Sequence, residues 1–130
     1  MTLAKPTRKA RLARKKQERG VRIDALTSLR AEVTARCAGW CELCRLNQAR
    51  EIHHILGGSG RRRRREEADT LIALCLACHA AIHINQFRAL ERLARWAKDR
   101  GAVDSQVEAQ RRLDKVTREM SRLRQDHPQR

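Results

Sequence analysis

Two Cys-x2-Cys pairs, Cys41–Cys44 and Cys75–Cys78, separated by 30 residues, constrain the fold of this chain more than any other feature. Thiolates at this spacing supply two ligands from each of two knuckles and close a tetrahedron around zinc at about 2.3 Å. A site of four thiolates has no open position, so it is structural and contributes folding free energy. The chain has 130 residues, 35% of them charged, with one Phe, two Trp and no Tyr. A core this lean needs a metal, a disulfide or a partner to hold it. No apolar leader opens the sequence, and no apolar run nears the roughly 20 residues that span a bilayer. The expected setting is cytoplasmic and reducing, where such cysteine pairs are metal ligands rather than disulfides. Cys37, the remaining cysteine, reads as a buried or idle thiol.

The gap between the pairs is longer than the roughly 15–20 residues of a simple zinc ribbon. The insertion carries Glu51-Ile52-His53-His54, then Gly57-Gly58-Ser59-Gly60, then five consecutive arginines from Arg61 to Arg65. His79 and His83 follow the second cysteine pair at i, i+4, on one face of a helix, the geometry that chelates a single ion. Cys78 and His79 are neighbours about 100° apart around that helix, so they serve different ions. On a strand, successive side chains point to opposite faces. If His53 and His54 lie on a strand, one can join the ion held by His79 and the other is left for a general base, because imidazole titrates in the right range. A mixed site of Cys41, Cys44, His79 and His83 is the alternative, and it orphans Cys75 and Cys78.

Around this stretch, Leu26, Leu29, Val33 and Cys37 recur at helical spacing, which predicts a helix over about 24–37, capped by Asp24 and ended at Gly39. Trp40 to Asn47 holds a tight knuckle. Arg50 to Leu56 reads as one strand and Leu71 to Leu74 as a second. Leu76 to about Arg100 reads as one helix with Phe87, Leu90, Leu93, Ala94 and Ala97 buried and Trp96 at the edge. Ser105-x-x-Glu108 reads as a capping box opening a last helix. In that helix Leu113, Val116, Met120 and Leu123 suit packing on a neighbouring helix or a short dimer coil. No internal repeat is present. The expected class is α+β, mostly helical.

The net charge of +15 predicts association with a polyanion, nucleic acid ahead of an anionic membrane surface. Residues 1–20 form a basic arm, flexible or helical on phosphate, that includes Lys15 and Lys16. Arg61, Arg62, Arg63, Arg64 and Arg65 cannot be buried together. Hanging off the histidine pair, they read as a phosphate clamp. With so few aromatics, backbone contact rather than base stacking is the expected mode.

The pattern Arg36-Cys37, Cys41-x2-Cys44, Glu51-x-His53-His54-Ile55, Leu71-Ile72-Ala73-Leu74-Cys75-x2-Cys78-His79 and His83 resembles the HNH endonuclease family in its zinc-stapled, four-cysteine form. The resemblance spans about residues 36–85. It implies a ββα-metal core, two strands and a helix around one catalytic divalent ion, with an N-terminal helix and two C-terminal helices as flanks. It implies that His53, His79 and His83 bind that ion and that His54 is the general base. Glu51 would help to organise the site, and Cys41, Cys44, Cys75 and Cys78 would hold the structural zinc. Thr70 stands where the family usually has an asparagine that braces the loop.

The implied organisation is a basic arm over 1–20, a nuclease domain over 21–100 with its core at 36–85, and a C-terminal helix with a frayed tail over 101–130. The implied activity is metal-dependent hydrolysis of DNA phosphodiesters with Mn2+, Ni2+, Mg2+ or Zn2+, by a monomer or a homodimer through the last helix, with no membrane partner. A non-catalytic zinc-stapled nucleic-acid-binding protein is the alternative.

Overall fold

In the computed structural model, residues 4–56 and 67–126 are described, with the side chains of 21–25 left aside. Helix α1 spans Arg8–Cys37 and opens on Thr7, whose hydroxyl accepts the Ala10 N–H at 3.2 Å. The sequence reading begins this helix at Asp24, whereas the structure begins it sixteen residues earlier. Residues 8–20 bury nothing, so no apolar stripe announces them. Their Arg, Lys, Ala, Leu and Gln content has high intrinsic helix propensity, and only Gly20 opposes it. The helix stops where Ala38 (φ 52°) and Gly39 (φ 86°) turn left-handed, with the Ala38 N–H closing on Thr34 O.

Strand β1 (Glu51–His54) pairs antiparallel with β2 (Leu71–Leu74), in the register His53 opposite Ile72 and His54 opposite Leu71. A short 3-10 turn, Ala68–Thr70, leads into β2. Every residue of β2 is buried, and its alternation feeds two core clusters. Leu71 and Ala73 pack with Val33, Cys37 and Leu29 of α1. Ile72 and Leu74 pack with Ile55, Ile82 and Leu93 on the other face. The sheet is thus a thin partition between α1 and the three helices that follow.

Those helices are α2 (Leu76–His83), α3 (Phe87–Asp99) and α4 (Val103–Asp126). The single helix expected over 76–100 is broken after His83. Asn85 takes a left-handed conformation (φ 56°) and Gln86 caps α3. Asn tolerates that conformation through its short polar side chain, so the break needs no glycine or proline. Leu90, Leu93 and Ala97 are buried as expected, but Phe87 is 37% exposed. The capping box expected at Ser105 is absent. Ser105 lies inside α4, where its hydroxyl donates to Asp69 O at 2.5 Å, and Glu108 pairs with Arg111. α4 packs against α3 through its first half. Of the stripe expected to pack, Leu113 and Val116 are half-buried, while Met120 and Leu123 are exposed. No described helix is long and apolar enough to cross a membrane.

One buried ion pair ties these parts together. Glu42, between Cys41 and Cys44, has a fully buried side chain. Arg36 Nε donates to its Oε1 at 2.5 Å and Arg36 Nη2 to its Oε2 at 2.8 Å. The same guanidinium donates to the carbonyls of Ala68 and Leu71, each at 2.7 Å. Glu42 Oε2 also accepts the Ala73 N–H, and the Glu42 N–H donates to Ala73 O, both at 2.8 Å. α1, the cysteine knuckle, the 3-10 turn and β2 meet at these two side chains. Breaking a buried pair leaves an uncompensated charge and costs about 3–5 kcal/mol. Glu42→Ala is therefore expected to lower the unfolding free energy in denaturant titrations by that amount. A loss below about 1 kcal/mol would mean that the pair is dispensable.

Candidate metal centres

Cys41 and Cys44 come from the knuckle after α1, Cys75 from the end of β2, and Cys78 from the first turn of α2. Their four sulfurs all lie within 4.8 Å of one another. A tetrahedron with Zn–S bonds of about 2.3 Å has edges of about 3.8 Å, and Cys44 Sγ lies 3.9 Å from Cys75 Sγ. The surroundings favour thiolate. Cys44 Sγ accepts the Leu46 N–H at 3.5 Å, and Cys75 Sγ accepts the Cys78 N–H at 3.4 Å and an Asn47 amide N–H at 3.7 Å. Burial alone pushes the Cys44 thiol up, but the N–H groups of Leu46 and Asn47 and its thiol neighbours outweigh it and bring it down to about 6. Cys75 is lowered too, because the N–H and thiol of Cys78 overcome its burial. Burial, then the Cys75, Cys44 and Cys41 sulfurs, push Cys78 up. The four cysteines could hold a metal ion such as zinc. Cys37 takes no part. It is buried at the end of α1 against Leu71 and Ala73, and its thiol donates to Thr34 O.

A second cluster lies one helical step away. Ligand nitrogens of His53, His79 and His83 also fall within 4.8 Å of one another. His79 Nε2 and His83 Nε2 are 2.9 Å apart, close to the roughly 3.0 Å expected of two ligands at right angles with bonds near 2.1 Å. His53 is 9% exposed, and its Nε2 is buried with no hydrogen-bond partner among the described residues. Such an orphaned nitrogen is costly, and a cation among three imidazoles would satisfy it. Burial, then the charges of His79, His83, Arg112 and His54, lower His53 to about 4. It therefore stays neutral, as a ligand must.

The strand alternation puts His53 on the face that carries Ile72, towards α2, and His54 on the face that carries Leu71, towards α1. His54 is half-buried and near enough to act on His53 electrostatically. Glu51 shares the face of His53, and its Oε2 contacts His79 Nδ1. A carboxylate on Nδ1 fixes the tautomer and presents Nε2 to the cluster. Thr70 is buried. Its hydroxyl accepts the Glu67 N–H and donates to Glu67 O, both at 3.0 Å, while its carbonyl accepts the Ile55 N–H just past His54. It thus bridges the turn into β2 to the end of β1.

Sequence reasoning missed Arg112. From α4 it donates to Ile82 O at 2.7 Å and to Asn85 Oδ1 through Nε at 2.9 Å and Nη2 at 2.6 Å, pinning the end of α2 beside His83. Burial lowers its pKa. Nothing in the pair Arg111-Arg112 distinguishes it, because its role depends on the α2–α3 break. Glu42 was missed for a similar reason, since a lone acid inside a knuckle reads as solvated. Lys15 and Lys16 are exposed on the outer half of α1. Arg61 to Arg65 lie outside the described residues. No family model, curated protein or solved structure matches this chain.

Outer carboxylates that orient a metal-bound histidine are worth about 10- to 100-fold in metal affinity. Glu51→Gln is expected to weaken Ni2+ binding at the histidines by that factor in calorimetric titration of zinc-loaded protein, with zinc content unchanged. Unaltered Ni2+ affinity would remove Glu51 from the site.

Proposed function

We propose that this protein is a metal-dependent endonuclease of the HNH type, with β1, β2 and α2 as a ββα-metal core. The observation that carries the reading is the convergence of His53, His79 and His83, with the buried His53 Nε2 unpartnered among the described residues and His54 next to it on the same strand. A structural zinc alone accounts for the four cysteines and leaves these histidines without a purpose. The charge of +15 supplies the attraction to a polyanionic substrate.

In this reading His53, His79 and His83 would hold a divalent ion, which would supply charge stabilisation to the scissile phosphate and the departing 3′ oxygen. His54 takes the proton of the attacking water. The P–O3′ bond breaks as the new P–O bond forms, leaving a 5′-phosphate and a 3′ oxygen that takes a proton from solvent water to become the 3′-hydroxyl. Glu51 holds the His79 ring, Arg112 holds the end of α2 under His83, and Thr70 braces the strand that carries His54. The arginines at 61–65 and the lysines of α1 grip backbone phosphates. Imidazole donors favour transition metals, whereas Mg2+ prefers oxygen.

Plasmid nicking tests the reading. The wild type is expected to nick faster with Mn2+ or Ni2+ than with Mg2+ at matched concentrations. His54→Ala is expected to lose about 10²- to 10⁴-fold, the usual worth of a general base, while retaining bound metal. No cleavage by the wild type with any of these ions, alongside intact DNA binding, would leave a non-catalytic zinc-stapled binding protein.

A further inference from the structure

A cleft of about 600 Å3 lies between the cysteine knuckle and α3, apart from the histidine cluster. Its lining includes Arg45 and Leu46 from the knuckle and Arg92, Arg95, Trp96 and Arg100 from α3 and its C-cap. The walls are built in three ways. Arg45 sits at a left-handed position (φ 58°) with its N–H on Cys41 O, so the knuckle itself aims it. Arg92 and Arg95 are exposed at i, i+3 on one face of α3. Trp96 forms a floor, with the guanidinium carbons of Arg100 and Arg36 at 4.6 and 5.3 Å from its ring centroid.

The charge count is lopsided. Glu42 is engaged by Arg36, and Arg100 is engaged by Asp69 at 3.0 Å. Arg45, Arg92 and Arg95 have no carboxylate partner among the described residues, Asp99 is the one other carboxylate on the lining, and the Cys44 sulfur stands at the knuckle end. A fold does not gather unpaired guanidinia around a concavity for stability, because their mutual repulsion costs free energy. Planar, permanently charged forks of this kind suit the oxygens of phosphate.

We propose that this arginine-lined cleft is a second nucleic-acid contact, seating backbone phosphates of the same strand or duplex at a distance from the histidine centre. An extended polyanion is favoured over an acidic peptide because α1, whose Arg36 reaches Trp96, carries many further exposed basic side chains. The inference rests on the nuclease reading only in taking nucleic acid as the polyanion. The knuckle would then have two tasks, closing a metal site and presenting Arg45.

The test compares Arg92→Gln/Arg95→Gln with Arg118→Gln/Arg122→Gln, an equal change of charge at exposed positions on the outer half of α4. Affinity for a labelled 20-base-pair duplex is measured by anisotropy over a series of salt concentrations, with zinc-loaded protein and no other divalent ion. The cleft pair is expected to weaken binding at least 10-fold and to reduce the slope of log K against log salt by about 2, or roughly 0.9 for each phosphate no longer neutralised. The control pair is expected to change the slope by less than half as much. Equal effects of the two pairs would overturn the proposal. In a Trp40→Phe background, where Trp96 is the remaining tryptophan, duplex is expected to shift its emission. A response to polyglutamate at lower concentration than to duplex would assign the cleft to an acidic protein and also overturn the proposal. Cleavage is not read in either assay. A protein that binds through the cleft yet never nicks sinks the nuclease reading alone, and one that nicks with an indifferent cleft sinks this inference alone.

Discussion

The Arg36–Glu42 pair is the interaction on which the rest depends. Its acid sits between two cysteines, its base near the end of α1, and its remaining hydrogen bonds run to the 3-10 turn and to β2. The pair is buried, so it contributes little beyond what a hydrophobic substitute would, but it tolerates no partial loss. What it provides is register. Glu42 bonds Ala73 in both directions and so sets the first knuckle against β2. Cys75 is the first residue after β2, so the second knuckle is set by the same bonds.

From that fixed point, two simple periodicities separate the two clusters. Along α2, Cys78 and His79 are consecutive and turn to different neighbours. Along β1, His53 and His54 alternate across the sheet. One short helix therefore serves a cysteine site at its start and a histidine site further on. A metal held by the four cysteines would give a lean core its staple, and the same staple would position the histidines. Arg112 closes the arrangement by holding the turn after His83 from a helix that is remote in sequence.

The cysteine grouping was legible because ligand spacing is a strong local signal, and both strands were legible because they are short apolar or alternating runs between clear breaks. That one of His53 and His54 joins His79 and His83 followed from combining strand and helix periods, and the choice of His53 came from the resemblance to the HNH family. Three features were not legible. The first half of α1 carries no apolar stripe, so its helicity rests on propensity alone. The α2–α3 break lies at Asn85, within an apolar pattern that reads straight through it. Ser105-x-x-Glu108 matches a capping pattern, but a tertiary bond to Asp69 claims Ser105, and an i, i+3 pair with Arg111 inside α4 claims Glu108. Arg36, Glu42 and Arg112 share one difficulty, because their roles exist only once distant segments have met.

In the proposed reading, two metal centres of different donor chemistry share α2. X-ray absorption on protein loaded with one zinc and one nickel tests it most directly. A zinc shell of four sulfurs at about 2.3 Å and a nickel shell of nitrogen and oxygen without sulfur are expected. A zinc shell of mixed sulfur and nitrogen would contradict it, because the cysteines and histidines would then be completing one site instead of two.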